Sequence, residues 1–119
     1  MAATEQIDML HDYKIPDDRI MELWDELDSK YMPERFSHVL VHFSESDNFS
    51  VAINEWRHYP GGGKDHQTFC ICSKEISDCH YIENKHNGNV LRIGCDCAKK
   101  YMTKELAYDI DIAQKQLNY

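Results

Sequence analysis

The chain of 119 residues is long enough for one domain, or a compact domain with a small satellite, and its 42% apolar residues supply a modest core. The formal charge of −8 resides wholly in residues 1–60, which hold 13 acids against 5 Lys/Arg, whereas residues 61–119 hold 8 of each. That balance disfavours a generic phosphate-binding surface, which needs Lys and Arg to neutralise phosphates, and no apolar run approaches the ~18 residues of a membrane span.

The start, Met1-Ala2-Ala3-Thr4-Glu5, lacks the basic and apolar segments of a secretory signal, so the expectation is a cytoplasmic protein. Short acidic helices are predicted for the first thirty residues. Ile7, Leu10 and Tyr13 share a face after a Thr4 cap. Pro16 then opens a second helix, Asp17 and Asp18 suit the positive end of its dipole, and Ile20, Leu23, Trp24, Leu27 and Tyr31 follow at helical spacing.

Phe36, Val39, Leu40 and Phe43 repeat the helical template behind Pro33, and Phe49, Ala52, Ile53 and Trp56 repeat it again after Ser46 as the predicted cap. The reading is a helical hairpin; a β-hairpin is the competing one, favoured by Val39, Val41, Val51 and Ile53. Pro60 and Gly61-Gly62-Gly63 break the pattern and mark residues 61–67 as a linker. Lys64 after these glycines does not make a phosphate loop: the spacing is wrong, and no Ser or Thr follows. The domain reading is therefore an acidic helical region at 1–60, the linker, and a metal module at 68–119.

All five cysteines lie between positions 70 and 97, an odd number that argues for thiolate ligands in a reducing compartment rather than a disulfide framework. Cys70-Ile71-Cys72 is a tight turn that can present two thiolates to one ion. Tyr81-Ile82 and Val90–Ile93 flank Asn87-Gly88, a pair suited to a tight hairpin turn. Cys97 stands at the start of a helix, where amides and the dipole favour a thiolate. Knuckle, hairpin and ligand-bearing helix are the layout of a treble-clef zinc site. The expected fold class is α+β, with the helical half packed on this module.

Phe69-Cys70-Ile71-Cys72, Ile76, His80-Tyr81-Ile82, Asn84, Asn87-Gly88, Ile93-Gly94, Cys97 and Tyr101, preceded by Glu55-Trp56, resemble a family of small Cys-x-Cys-Gly proteins and domains of bacteriophages, giant viruses and some bacteria. The resemblance covers roughly residues 52–102. It implies a zinc-binding module with Cys70, Cys72, His80 and Cys97 as ligands, a closed N/S shell of the structural kind. The family has no settled activity to carry over. Ser73 departs from the usual glycine, and Cys79 and Cys95 are additional.

The residues alone leave the ligand set open. Cys70, Cys72, Cys95 and Cys97 form a symmetrical pair of Cys-x-Cys turns, and Cys79 is a further candidate; Cys79 and Cys95 also read as small buried hydrophobes. Asn84 is expected to tie the hairpin backbone, and Trp56 and Tyr101 to be core aromatics. Met102, Leu106, Ile110, Ala113 and Leu117 line one helical face, read as packing onto the acidic helices or as a docking stripe.

An HNH-type nuclease would need a histidine or asparagine on the helix after the hairpin, and no histidine follows His86. No cysteine stands apart from the cluster with an evident base partner. The expectation is a non-enzyme: a viral or phage-type zinc-binding accessory protein that binds and modulates a host or defence protein through its acidic half. The alternatives are a nucleic-acid-binding module using Lys85, Arg92, Lys99, Lys100 and Lys104 and, less favoured, an HNH-like metal-dependent nuclease.

Overall fold

The computed structural model describes residues 15–28, 30–63 and 67–117. The Thr4 cap and the Ile7, Leu10, Tyr13 face lie outside the described residues, as do Lys64 and the rest of 64–66. The fold is α+β. Helices α1 (Asp17–Asp25), α2 (Met32–His42) and α3 (Phe49–Ala52), with a 3₁₀ turn at Ile53–Glu55, lead into strand β1 (Trp56–Gly63). Short strands β2 (Thr68–Phe69) and β3 (Glu75–Ile76) bracket the Cys-x-Cys turn. A hairpin of β4 (Cys79–Asn84) and β5 (Val90–Ile93) then feeds α4 (Cys95–Tyr101) and α5 (Lys104–Leu117).

The larger sheet is antiparallel in the order β1-β4-β5, and β2 pairs with β3 in a separate ribbon. Both faces of the hairpin are covered: every residue of β5, and all of β4 except Glu83, is buried. A single core joins Leu23, Phe36, Val39 and Leu40 of the helices to Ile82, Leu91 and Ile93 of the sheet. Phe36, fully buried, lies 4.8 Å from the Tyr101 ring and edge-on to Phe49, so one aromatic locks the helical half onto α4.

The helical reading of residues 36–43 holds, and no β-hairpin occurs there. The second stripe is shorter than its spacing predicts. Its cap is Asn48, whose side chain accepts from the Ser50 amide at 2.9 Å, rather than Ser46. The chain leaves the helix at Ala52, because Trp56 is already a strand residue and its indole donates to Ser44 Oγ at 2.8 Å. Tyr31 is likewise outside the helix that its spacing suggested. It stands exposed just before α2, whose first turn carries Pro33, a residue that fits there because no amide is required.

The glycine run requires a larger correction. Gly61–Gly63 are not linker but the end of β1, with Gly63 paired to Cys79 of β4. From Tyr59 to Gly63 the strand advances four positions while its partner retreats only two, from Tyr81 to Cys79, so the extra residues bulge. β1 is an edge strand, and there Pro60 and the left-handed Gly61 (φ 121°) are tolerated. The boundary at residue 60 thus falls inside a strand shared by both halves. In the α5 stripe, Leu106 and Ile110 are buried where α5 packs on α4 and β1.

Candidate metal centre

Cys70, Cys72 and Cys97 converge, all three buried, with their sulfur atoms within 4.8 Å of one another. Local backbone explains the approach. The Cys70 amide donates to the Lys74 carbonyl at 2.9 Å and the Ser73 amide to the Cys70 carbonyl at 2.8 Å, closing a tight turn. The turn places Ser73 at φ 77°, the left-handed region that favours glycine. Ser73 occupies it while its hydroxyl accepts from Arg35 Nη1 at 2.7 Å, a tie to α2 that glycine could not make.

The knuckle is held from two further sides. The Ile71 amide donates to the Arg92 carbonyl of β5 at 3.3 Å, and Trp24 Nε1 of α1 donates to the Ile71 carbonyl at 2.7 Å. Gly94 precedes α4, and a Cβ there would lie 3.1 Å from Ile76 Cγ2 and 3.9 Å from Cys70 Cβ. The absent side chain lets the helix start approach the knuckle. Cys97 lies in the first turn of α4, where free amides and the helix dipole favour an anionic sulfur.

The three sulfurs hydrogen-bond to one another. Thiol donors from Cys70 and Cys97 bring Cys72 down to about 3. Burial, and then the bond to Cys72, push Cys70 up to about 12. Bonding to Cys70 and Cys72, with burial, raises Cys97 as well. A metal ion bound to all three sulfurs would displace their thiol protons. Buried soft donors at this spacing could hold a metal ion.

The other predicted ligands are placed differently. Cys95, half-buried at the first position of α4, lines the same cavity of about 160 Å³ as the three clustered cysteines, together with Asp78, Asp96 and Gln114. Cys79 is buried opposite Gly63, outside the cluster. His80 is also buried and outside it. Its Nε2 lies 2.8 Å from Gln114 Oε1, and Gln114 Nε2 donates to Asp78 Oδ2 at 2.7 Å. Asp78 accepts, so the Gln114 amide nitrogen faces it and the Gln114 oxygen faces His80, making Nε2 the donor.

Two of the five proposed phosphate contacts are paired with acids. Arg92 is buried and lies 3.1 Å from Asp17, and Lys99 pairs with Asp111 at 3.2 Å. Lys100 is exposed on α4, while Lys85 and Lys104 line a shallow groove with Arg57, Glu105 and Asp109.

Sequence reasoning missed a buried polar node at the far end of the hairpin. Glu55, 5% exposed, accepts from the Glu45 amide at 2.7 Å, the Ser46 amide at 2.9 Å and Asn84 Nδ2 at 2.9 Å. Asn84 Oδ1 in turn accepts from the amides of His86 and Asn87, which ties the hairpin backbone as expected. Burial works to raise the Glu55 pKa, but these bonds outweigh it and hold the carboxyl below its ordinary value. The Glu55-Trp56 pair was visible in the sequence; nothing local to it signalled which amides the carboxylate would cap.

No family model, curated protein or solved structure matches the chain. Among the described residues, no helix is long and apolar enough to cross a membrane.

Proposed function

We propose that this chain is a non-catalytic zinc-binding accessory protein that works by binding another protein. The convergence of three buried cysteines from a knuckle and a helix start carries the reading. An all-sulfur set is the donor chemistry of structural zinc sites, in which the ion substitutes for core that a small module cannot build. In this reading the knuckle, hairpin and α4 form a treble-clef-like unit. Cys95 supplies the fourth sulfur from the rim of the shared cavity, and His80 is left to its bond with Gln114. The ion would hold the knuckle to α4 and close the open end of the hairpin.

The acidic helical half supplies the binding surface: Asp18, Glu22 and Asp25 are exposed on α1, and Glu26 is exposed at its C-terminal cap. A reducing compartment such as cytoplasm suits free cysteines. The resemblance to phage and giant-virus domains makes a host or defence protein the favoured target. The nucleic-acid reading is weaker, because Arg92 and Lys99 are engaged with Asp17 and Asp111.

Elemental analysis of the full chain and its variants tests the metal reading. We expect about one zinc per chain, abolished by Cys97→Ser, reduced by Cys95→Ala and retained by His80→Ala. Zinc lost with His80→Ala and kept with Cys95→Ala would return the fourth position to the histidine. Absence of metal from protein prepared without chelator would defeat the reading. For the partner, the zinc-loaded chain should retain a specific protein from host extract, with retention weakened by salt and unaffected by nuclease treatment.

A further inference from the structure

Between α1 and the knuckle lies a groove of about 410 Å³, outside the metal cluster. Ile20 and Ile71, both buried, form its floor. Met21, 55% exposed, and Phe69, 50% exposed, stand at its walls, with Trp24 meeting Phe69 edge-on at 6.4 Å. Large apolar side chains that stay open to solvent around a concave floor are the anatomy of a binding site rather than of unfinished core.

The charge around this groove selects its occupant. Ile20, Met21 and Trp24 face it from α1, and helical spacing sets Asp18 and Asp25 on the solvent flank beside Met21. Neither acid has an ion-pair partner among the described residues, while the nearby cation Arg92 is buried against Asp17. Arg19 points away along α1, to Glu22 and Glu26. Among the described residues, the apolar walls are therefore edged by acids with no paired cation.

We propose that this groove is the docking site for a short, positively charged segment of a partner protein. Apolar side chains of that segment seat between Met21, Trp24 and Phe69, and its Lys or Arg residues face Asp18 and Asp25. The proposal rests on the protein-binding reading above and names its surface. A second copy of the chain is disfavoured as occupant, because an isologous contact would set the two acidic flanks against each other. The metal centre also supports the groove. Ile71, between the two knuckle cysteines, forms the floor, and its carbonyl accepts the Trp24 indole.

The test is selection of a displayed random peptide library on the zinc-loaded full chain. The enriched peptides should carry Lys or Arg around an aromatic or aliphatic anchor. Met21→Glu combined with Phe69→Glu should weaken them ~30-fold, as loss of a hot spot does. Asp18→Lys with Asp25→Lys should weaken them ~10-fold and flatten the salt dependence. All four positions are exposed, so zinc content and the melting profile report that each variant is folded. Failure to enrich, enrichment of neutral or acidic peptides, or binding unchanged in both variants would overturn the proposal. So would a dimer in sedimentation that Met21→Glu dissolves. A host protein captured equally by wild type and both variants would leave the protein-binding reading standing and remove the groove from it. Basic peptides that need the groove, with no host protein retained, would do the reverse.

Discussion

The β4–β5 hairpin is clamped at both ends, and by opposite chemistry. At its open end Cys70, Cys72 and Cys97 bring soft sulfur donors together across the knuckle and α4. At its turn end Glu55 and Asn84 bind the 45–46 loop and the 86–87 turn through hydrogen bonds alone. The carboxylate node is complete within the chain: its charge is buried, but each carboxylate oxygen has an amide donor. The sulfur cluster gathers soft donors whose fullest partner would be a metal ion. One clamp is therefore conditional on metal and thiol state, and the other on protonation alone.

The largest expected effect breaks the open end. Cys97→Ser should abolish metal retention and remove on the order of 10 kcal/mol of apparent binding free energy that otherwise supports the folded module. Hydrogen exchange after chelation locates the damage. Amides of Cys70, Ile71 and Ser73 should lose protection first, and those of Glu45 and Ser46 last. The reverse order would show that the two clamps are not separable in this way.

Next comes the turn end. Glu55→Gln keeps the size of the side chain but turns an NH₂ toward amide donors, and Asn84→Ala removes two acceptor contacts and one donor. Each should cost about 3 kcal/mol in urea denaturation, since a buried donor or acceptor is left unpaired. Zinc content should stay at the wild-type level; a parallel loss of metal would mean that the hairpin transmits the defect along its length.

Acid should separate the clamps further. The folded Glu55 carboxyl sits below its ordinary value of 4.5, so its stabilisation is present above that value and is lost as pH falls through the folded pKa. Protons compete for the thiolates as well, so the comparison is made at saturating zinc. Thermal unfolding followed from neutral pH downward should steepen below pH ~4.5 in wild type and flatten in Glu55→Gln. Equal slopes in both would place the acid sensitivity elsewhere.

The smallest effect concerns Ser73. Ser73→Ala keeps the left-handed backbone and loses the bond from Arg35, so it should destabilise by about 1–2 kcal/mol. Ser73→Gly loses the same bond but relieves the backbone, and should fall between wild type and alanine. Alanine at least as stable as glycine would mean that φ at this position matters less than the turn geometry implies.

Periodicity made the helices legible: Ile20 and Leu23, and Phe36, Val39 and Leu40, were placed on buried faces by their spacing and are buried. Asn87-Gly88 announced the connection between β4 and β5, although of the pair Gly88 alone is left-handed, at φ 78°, and the loop runs over residues 85–89. The Cys-x-Cys turn and Cys97 were visible as reactive side chains at the start of recognisable local structures. Pro60 and its glycines were read by local propensity as a break. Their place in β1 comes from pairing with Cys79–Asn84, far along the chain, at an edge where proline and a bulge do no harm.

The sequence by itself determined the α+β class, the helical faces, the hairpin turn and three cysteines of the candidate centre, because each is encoded by neighbours within a few positions. Only the tertiary structure decided which long-range partners those residues meet. It set His80 against Gln114 rather than in the sulfur cluster, and gave Glu55 the amides of another loop. It also closed α5 onto β1 and α4 and left a groove between α1 and the knuckle. Such choices depend on how separate elements stack, which fixes distances that no local pattern of residues records.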